Sequence, residues 1–462
     1  VEPLSFFKKC MYFGVLSLFF VLVSTHSVWA IWVDADGSGQ ESMNISESLA
    51  DSDNPSLYLD SSSNPYVVWQ DSTTGNGDIY FLKWNGSEWV DADGSGKESI
   101  NISNNAGVSG FPSICLDGSG NPHVAWHDSS SGSHEIYYLK WNGTKWVDAD
   151  GSGQESIDIP NIKGAYYPSL CLDSSGNPHI AWKNFISGNN YDIYYLKWNG
   201  TEWVDVNGSA GRESINVSTN TGYSGYPSIS LDSLDNPHIA WKDHTSGNKE
   251  IYYLKWNGTA WVDSNGSAGR ESINISSTVG ESRNPSLCLD SSDNPHVAWD
   301  NYVSGNYEIY YLKWNGTAWV DADGSGQESV NVSKDSRDSG FPSLSLDSSN
   351  NPRIAWFNHT SGNTEIYYLN WNGTAWVDVD GSGQESIAIS NTSGESRVPS
   401  LGLDSSGNPH IAWSDNTSGN YDIYYLHWNI APTLSWTGEA NYISDGLDPE
   451  TGYPNTDFVY RV

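Results

Sequence analysis

The sequence predicts an all-β protein, a closed seven-bladed β-propeller with four strands in each blade. Three observations support this fold class. The tripeptide Trp-Val-Asp occurs seven times, with 57 or 58 residues between successive copies. Each repeated unit contains strand-like segments and no helical periodicity. The first and last units are incomplete in complementary ways, which predicts that the array closes into a ring.

Four short segments in every unit have the composition of strands. In the third unit they are PSLCLD (168–173), PHIAW (178–182), YDIYYLKW (191–198) and TEWVD (201–205), all rich in β-branched or aromatic residues. Ser-Ser-Gly-Asn separates the first two segments and is a turn cluster. Asn-Gly separates the last two and is typical of a hairpin turn in which both residues have positive φ.

The two ends of the array predict how the ring closes. Residues 31–34 (IWVD) form only the fourth strand of a unit, whereas the last unit stops after its third strand, at 424–428 (YYLHW). The N-terminal strand can therefore complete the seventh blade, which leaves neither end of the array with an unpaired edge. The propeller domain is predicted to span residues 31–429.

Residues 1–30, ahead of the propeller, have the features of a secretory signal peptide. Lys8 and Lys9 precede a predominantly apolar run of 13 residues (11–23), and small residues lead to a cleavage site after Ala30. A run of 13 residues is too short to cross a membrane, which takes about 20 residues. We therefore expect a secreted protein, extracellular or on the cell surface, with no membrane span.

Residues 430–462 depart from the repeat. Their Gly-, Asp- and Pro-rich middle and the terminal FVYRV resemble the opening strands of an immunoglobulin-like repeat of bacterial surface proteins. A complete sandwich of that kind needs about 100 residues. We expect a truncated β-sandwich domain here, and a monomeric propeller within a longer chain.

The charge of the chain excludes one class of partner. There are 56 Asp and Glu against 21 Lys and Arg, a formal net charge of −35. A protein that binds nucleic acid by neutralising phosphates needs the opposite balance, and anionic lipid is disfavoured for the same reason. Most of the acidic residues are periodic, and we expect them on one face of the ring with little compensating positive charge.

One periodic acidic segment resembles a truncated calcium loop. Residues 34–41 (DADGSGQE) and their copies place hard oxygen donors around flexible glycines, although the match to the EF-hand pattern is poor. The alternative is a solvated acidic loop, and no other cofactor is indicated. The candidate calcium ligands in the first three copies are Asp34, Asp36, Glu41, Asp91, Asp93, Glu98, Asp148, Asp150 and Glu155.

Tryptophan is also periodic, with 21 of the 23 residues falling three to a unit. Tryptophans on the second strand are predicted to pack between blades. Those on either side of the Asn-Gly turn are the candidates for stacking against sugar rings. These candidate ligand contacts are Trp84, Trp89, Trp141, Trp146, Trp198, Trp203, Trp256, Trp261, Trp314, Trp319, Trp371 and Trp376.

The repeat, as in PSLCLDSSGNPHIAW (168–182), resembles the repeats of bacterial sialidase-like (BNR-type) propellers over about 400 residues. The Asp-box of that family, Ser-x-Asp-x-Gly-x-Thr-Trp, does not occur. Sialidases also bind a carboxylate with three converging arginines. Most arginines of these repeats fall in variable loops, so no such set can be assigned. The resemblance therefore transfers no catalytic residue to this chain.

A single catalytic site on a ring needs unlike residues from different blades, and no unit carries an obvious acid–base pair, nucleophile or metal cluster. We therefore expect a secreted, non-catalytic propeller that acts in binding or adhesion. Carbohydrate is the favoured ligand, because near-identical blades offer several weak sites whose avidity compounds. A scaffold that binds a surface protein and a sialidase-like glycoside hydrolase are the alternatives.

Overall fold

The structure is a computed structural model. It describes residues 30–37, 43–97, 100–153, 164–210, 216–219, 221–267, 273–276, 280–326, 330–334, 337–360, 362–381, 383, 387–430, 447–448 and 459–460. The predicted signal peptide lies outside these ranges, apart from Ala30. No helix occurs among the described residues, and hence none that could span a membrane.

Seven antiparallel sheets make up the propeller domain, and each is one blade. The first strands of blades 1 to 7 are β3 (Ser52–Leu59), β7 (Ser109–Leu116), β11 (Ala165–Leu172), β15 (Ser224–Leu231), β20 (Glu281–Leu289), β25 (Ser339–Leu346) and β30 (Ser396–Leu403). The second strands are β4 (Pro65–Asp71), β8 (Pro122–Asp128), β12 (Pro178–Ser187), β16 (Pro237–Asp243), β21 (Pro295–Val303), β26 (Pro352–Thr360) and β31 (Pro409–Asp415). The third strands are β5 (Asp78–Trp84), β9 (Glu135–Trp141), β13 (Asn190–Trp198), β17 (Glu250–Trp256), β22 (Asn306–Trp314), β27 (Asn363–Trp371) and β32 (Asp422–Ile430).

The fourth strand is short in every blade. In blades 1 to 6 it is β6 (Trp89–Val90), β10 (Trp146–Val147), β14 (Trp203–Val204), β18 (Trp261–Val262), β23 (Trp319–Val320) and β28 (Trp376–Val377), and in blade 7 it is β1 (Ala30–Val33). Four blades have a further two-residue strand beside the third strand, namely β2 (Met43–Asn44), β19 (Ile273–Asn274), β24 (Val330–Asn331) and β29 (Ile387–Ala388).

The N-terminal strand closes the ring, as the sequence predicts. The strand order of blade 7 is β1-β32-β31-β30, so one sheet joins both ends of the propeller. A circle of hydrogen bonds near the axis reinforces this closure. In each blade a serine hydroxyl of the first strand accepts a backbone N–H from the next blade, and Leu57 of blade 1 donates to Ser400 of blade 7. The predicted fold class is confirmed.

The acidic loop lies at the outer edge of the blade, because it interrupts the fourth strand. In blade 4, β18 pairs with one end of β17, and β19 pairs with the same strand further along. Residues 263–267, which directly follow β18, belong to neither strand. This corrects the expectation that the acidic loops lie on one face of the ring.

The Asn-Gly turn also differs from the predicted two-residue turn. Trp84 pairs with Trp89, so four residues form the loop. The side chain of Asn85 accepts the backbone N–H groups of Ser87 and Glu88. Only Gly86 has a positive φ, of 97°. The asparagine acts as a side-chain cap for the turn.

The end of the ring where the second strand begins, which we call the lower face, carries a repeated polar network. In blade 2, Asp117 accepts the backbone N–H groups of Ser119 and Asn121. Nδ1 of His123 lies 2.6 Å from the hydroxyl of Tyr138. The same His–Tyr pair recurs in blades 3, 4, 5 and 7. These aspartates and histidines are structural, as the sequence predicts.

Beyond the propeller, the described residues form one antiparallel pair, β33 (Leu447–Asp448) with β34 (Val459–Tyr460). The other residues of the predicted immunoglobulin-like segment, from 431 onward, lie outside the described ranges. That assignment stays a prediction.

Candidate functional site

At the opposite end of the second strand, on what we call the upper face, one position differs from blade to blade. It directly follows the buried tryptophan of the strand, and Asp or Asn follows it in every blade. The end of the second strand pairs with the start of the first strand and the start of the third, so this position lies at the upper face in all seven blades. The residues of this variable ring are Gln70, His127, Lys183, Lys242, Asp300, Phe357 and Ser414.

Blade 2 contributes two adjacent histidines. The imidazole centroids of His127 and His134 are 5.3 Å apart, and the ring of Tyr166 lies 4.6 Å from that of His134. Nδ1 of each histidine is buried, and within the described part of the chain it has no hydrogen-bond partner. Burial lowers the pKa of His134, and burial together with His134 lowers the pKa of His127 to about 3. Both imidazoles are therefore neutral at neutral pH and able to accept a proton.

Lys183 of blade 3 lies among tyrosine rings. Its side chain is buried, and its Nζ is 3.9 Å from the ring centroid of Tyr191 and 4.7 Å from that of Tyr223. The ammonium donates a hydrogen bond of 2.7 Å to the Tyr223 hydroxyl. Burial lowers the pKa of Lys183 to about 8. The rings stabilise the positive charge through cation–π contacts without neutralising it.

Lys242 of blade 4 shares the Tyr223 ring with Lys183. Its Nζ lies 4.5 Å from the centroid of Tyr223 and 4.9 Å from that of Tyr226. Burial and then the neighbouring cations Lys249, Lys183 and Arg283 lower the pKa of Lys242 to about 8. The upper face therefore concentrates positive charge at blades 3 to 5, contrary to the expectation of an acidic face with little compensating charge.

The two buried lysines differ from their neighbours in lacking a counter-ion. Lys249 pairs with Glu281 at 2.6 Å, and Arg283 pairs with Asp300. Among the described residues, no carboxylate lies within ion-pair distance of Lys183 or Lys242, which are 7% and 9% exposed. A buried charge without a partner is costly to maintain. In a chain of net charge −35, this pair is a local concentration of positive charge.

A cleft of about 730 Å³ is lined by Lys242 and by two of the tyrosines around Lys183, between the long hairpin of blade 3 and the shorter loop of blade 4. It is open to solvent and large enough for a sugar residue and its neighbours. Its lining is Ser187, Asn189, Asn190, Tyr191, Thr221, Gly222, Tyr223, Lys242, His244 and Lys249.

The upper mouth of the central channel continues the aromatic surface. Tyr167 lies 4.4 Å from Phe111 and 4.5 Å from Tyr226, measured between ring centroids. These three residues precede the proline of each first strand and line a central cavity of about 300 Å³. Aromatic rings of this kind offer apolar faces to sugars that cross the channel mouth.

The twelve tryptophans predicted to contact sugar form one pair of packed rings in each of blades 1 to 6. Trp84 and Trp89 meet edge to face, and Trp89 also contacts Tyr425 of the neighbouring blade. Trp141 is half-buried, and the other eleven are at most 9% exposed. Their role in ligand binding stays a prediction, and the buried rings offer little surface for a sugar.

The six predicted calcium-binding aspartates follow the fourth strands, at the outer edges of the blades. Asp34, Asp91 and Asp148 are buried, whereas Asp36, Asp93 and Asp150 are exposed, and Glu41, Glu98 and Glu155 lie outside the described ranges. A lysine ammonium reaches the loop in several blades, as where Nζ of Lys140 donates to the Ala149 carbonyl at 2.8 Å. Within the described ranges, no three side chains of the metal-binding types come together. Calcium binding stays a prediction.

The histidines, lysines and tyrosines of the upper face are the residues that inspection of the repeat missed. For His127, Lys183 and Lys242 the signal is a single position, since the residue after each second-strand tryptophan changes while both of its neighbours stay nearly constant. Aligning the seven units at that tryptophan exposes it. These are the unlike residues from different blades that a catalytic site on a ring requires.

No family model and no curated protein matches the chain. Solved structures do. An ulvan lyase, a polysaccharide lyase solved with an oligosaccharide of glucuronic acid and 3-sulfated rhamnose, has 13% identity and a TM-score of 0.54, over 83% of this chain and 95% of that one. A six-bladed fucose-binding lectin of Aleuria aurantia has 13% identity and a TM-score of 0.43, over 75% of this chain and 98% of that one. The likeness to the ulvan lyase supports the propeller fold.

The comparisons correct the prediction of a non-catalytic protein, which is wrong. The ulvan lyase, which matches with a TM-score of 0.54, is named as a polysaccharide lyase and is therefore an enzyme. The prediction rested on finding no set of unlike residues from different blades. The variable ring is such a set, and the prediction overlooked it. The sialidase-like resemblance stays a prediction, and carbohydrate is the ligand class that these neighbours share.

Proposed function

We propose that the protein is a carbohydrate-active enzyme that binds an anionic polysaccharide on its upper face and cleaves it by β-elimination at a uronic acid. The observation that carries this proposal is the pair of buried ammonium groups, Lys183 and Lys242, which lack a counter-ion beside an open cleft. A uronate carboxylate supplies the missing negative charge. A neutral sugar would leave both charges buried and uncompensated.

The two lysines would also activate the substrate. In a uronic acid, C5 carries both a hydrogen and the carboxylate, and removal of that proton places negative charge on the carboxylate. Two ammonium groups beside the carboxylate stabilise this charge, and their burial strengthens the electrostatic interaction. The C5–H bond thereby becomes more acidic.

Blade 2 would supply the base. A neutral imidazole of His134, which is only half-buried, accepts the C5 proton, and His127 lies against it. The electrons of the C5–H bond form the C4=C5 double bond, and the C4–O4 bond breaks. The adjacent positive charge of Lys183 contributes to keeping His127 unprotonated.

Tyr223 is the candidate proton donor to the leaving oxygen O4. Burial, with Tyr226 and Tyr191, raises the pKa of Tyr223 to about 12, so its hydroxyl remains protonated at neutral pH. Lys183 donates to the Tyr223 oxygen, which leaves the hydroxyl hydrogen available for transfer. The proton taken at C5 and the proton given to O4 balance, and no water is consumed.

The comparisons support the choice of substrate class. The ulvan lyase was solved with an oligosaccharide of glucuronic acid and 3-sulfated rhamnose, which contains a uronate. We propose a polymer of this chemical class as the substrate. We propose further that the protein acts outside the cell, because residues 1–30 have the pattern of a secretory signal.

The test is incubation with a panel of uronate polymers, namely ulvan, polygalacturonate, alginate and chondroitin sulfate. Elimination produces an unsaturated uronate, whose conjugated double bond absorbs in the ultraviolet. We expect this absorbance with at least one polymer, and its loss by about 100-fold or more in the Lys242→Met and His134→Ala variants. Lys97→Met is the matched control, because Lys97 is an exposed lysine paired with Glu47.

Two outcomes would contradict the proposal. Cleavage of a polymer without an unsaturated product would show that the reaction is hydrolysis and not elimination. Absence of cleavage across the panel, with no binding measurable by calorimetry, would remove the anionic polysaccharide as the ligand.

A further inference from the structure

We infer that a stack of three side chains on blade 5, Arg283, Tyr307 and Tyr302, is a second subsite, which binds a further anionic group on the same polysaccharide. We call it the blade-5 stack. This inference rests on the proposed function, since it needs a polyanionic chain held at Lys183 and Lys242. It adds the requirement that the bound oligosaccharide carry at least two negative charges on different sugar residues.

The blade-5 stack presents an exposed ring and a cation side by side. The Cζ atom of Arg283 lies 3.5 Å from the ring centroid of Tyr307, and the rings of Tyr307 and Tyr302 are 4.9 Å apart. Tyr302 is 41% exposed. It stands on the long hairpin formed by β21 and β22, where Asp338 accepts the backbone N–H of Tyr307 and fixes the hairpin base. An exposed aromatic ring beside a guanidinium suits a sugar that carries a sulfate or carboxylate.

The guanidinium of Arg283 is held by one edge only. Its Nε donates to the fully buried carboxylate of Asp300, which also accepts the side-chain amide of Asn284. The side chain of Arg283 is 32% exposed, and among the described residues no hydrogen-bond partner contacts its two terminal nitrogens. Two parallel N–H donors of this kind bind a carboxylate or sulfate in a bidentate manner. Asp300 is therefore a positioning residue.

The stack lies next to the proposed reaction site. Blade 5 is the neighbour of blade 4, which carries Lys242, and Arg283 is close enough to contribute to the lowered pKa of Lys242. A chain whose uronate occupies the two lysines can therefore reach Arg283 with a neighbouring sugar. The positive surface then runs continuously from blade 3 to blade 5.

Blade 7 provides an internal control for this argument. Arg397 occupies the repeat position of Arg283, and its Cζ lies 3.6 Å from the ring centroid of Tyr421. Here, however, Nη2 of Arg397 binds Asp53 at 2.6 Å, and the hydroxyl of Tyr421 donates to Glu395 at 2.9 Å. The loop of blade 7 has no aromatic residue equivalent to Tyr302. In blade 7, therefore, the Arg–Tyr pair bonds to acidic residues of the protein through Nη2 and the hydroxyl. In blade 5, the terminal nitrogens of the arginine have no such partner among the described residues.

The experiment is calorimetric titration of the full chain with tetrasaccharides prepared from each of the four panel polymers. Arg283→Lys keeps the charge but removes the bidentate fork, and we expect it to weaken binding of the tetrasaccharide that the wild type prefers by about tenfold. Tyr302→Ala, an exposed change that the fold tolerates, is expected to weaken it about threefold to tenfold. Arg397→Lys should change the affinity by less than twofold.

The outcomes separate the subsite from the reaction site. If Lys242→Met weakens binding but Arg283→Lys and Tyr302→Ala match the wild type, the subsite is overturned and the lysine site stands. If Arg283→Lys weakens binding but Lys242→Met does not, the lysine site of the proposed function is overturned and the stack itself is the primary anion site. Equal effects of Arg283→Lys and Arg397→Lys would overturn the subsite, because the effect would then follow from replacing any arginine on this face and not from the position of Arg283. Absence of binding by the wild type to every tetrasaccharide would overturn both.

Discussion

The two ends of the second strand in each blade follow opposite rules. At the lower face, the His–Tyr hydrogen bond recurs in five blades at 2.5 to 2.7 Å, and each aspartate caps its turn in the same way. At the upper face, the residue after the buried tryptophan is polar, cationic, anionic or aromatic depending on the blade. Uniform chemistry at one end and unlike chemistry at the other identifies which end maintains the ring and which end binds a ligand.

The buried histidines of blades 2 to 4 show the same division. At the lower face of blade 4, His238 and Tyr253 satisfy each other at 2.6 Å. At the upper face, His127 and His134 have Nδ1 atoms without partners among the described residues, and Lys183 and Lys242 have no counter-ion there. Natural proteins keep such groups where function requires them, at a cost in stability. The comparison therefore predicts that changes at the two ends affect different measurements.

The largest expected effect on stability comes from the tryptophan that separates the two ends. Trp241 is fully buried, so Trp241→Ala should lower the free energy of unfolding by about 3–5 kcal/mol. Urea denaturation followed by tryptophan fluorescence measures the change. Leu234→Ala is the control, because Leu234 is 79% exposed and should stay within about 0.5 kcal/mol of the wild type. A loss below about 1 kcal/mol for Trp241→Ala would contradict the packing role.

The next effect separates binding from stability. Lys242→Met keeps most of the length of the unbranched side chain and removes a buried charge that has no counter-ion among the described residues. We expect the affinity for the preferred tetrasaccharide to fall by about 100-fold while the free energy of unfolding is unchanged or rises. Calorimetry and urea denaturation on the same preparation test both halves. A clear loss of stability would show that Lys242 belongs with the structural residues of the lower face.

A smaller effect is expected at the lower face. Tyr253→Phe removes the hydroxyl that bonds to His238 and leaves a buried ring nitrogen without its partner. The free energy of unfolding should fall by about 1–2 kcal/mol, with tetrasaccharide affinity unchanged. A change in affinity beyond twofold would mean that the two ends of the strand are coupled.

These differences also explain how far the sequence alone could predict the molecule. The seven copies of Trp-Val-Asp predict seven blades, because they form a local repeated pattern. The closure is predicted by the two ends, since the chain begins with the fourth strand that the last unit lacks. The tryptophans beside the Asn-Gly turn were harder to place, since only the packing of Trp89 against Tyr425 of another blade shows that the ring is buried. The site was missed because its members, such as His134, Lys183 and Tyr223, are distant in sequence and meet only where neighbouring blades converge.

The smallest expected effect is a dependence on pH that has opposite signs for binding and for stability. Burial lowers the pKa of both Lys183 and Lys242 from 10.5 to about 8. Between about pH 8 and 10.5 the unfolded chain holds more protons on these residues than the folded one, so their contribution to the free energy of unfolding rises with pH. Between about pH 7 and 9 the folded protein loses most of the charge on these ammonium groups, and anion affinity should fall several-fold over those two pH units. The Lys183→Met/Lys242→Met double variant isolates this contribution, because its difference from the wild type in urea denaturation should shrink as the pH rises. A difference that is constant from pH 7 to 10 would mean that the two lysines titrate as ordinary surface residues, and the contrast between the two ends of the strand would then rest on the histidines alone.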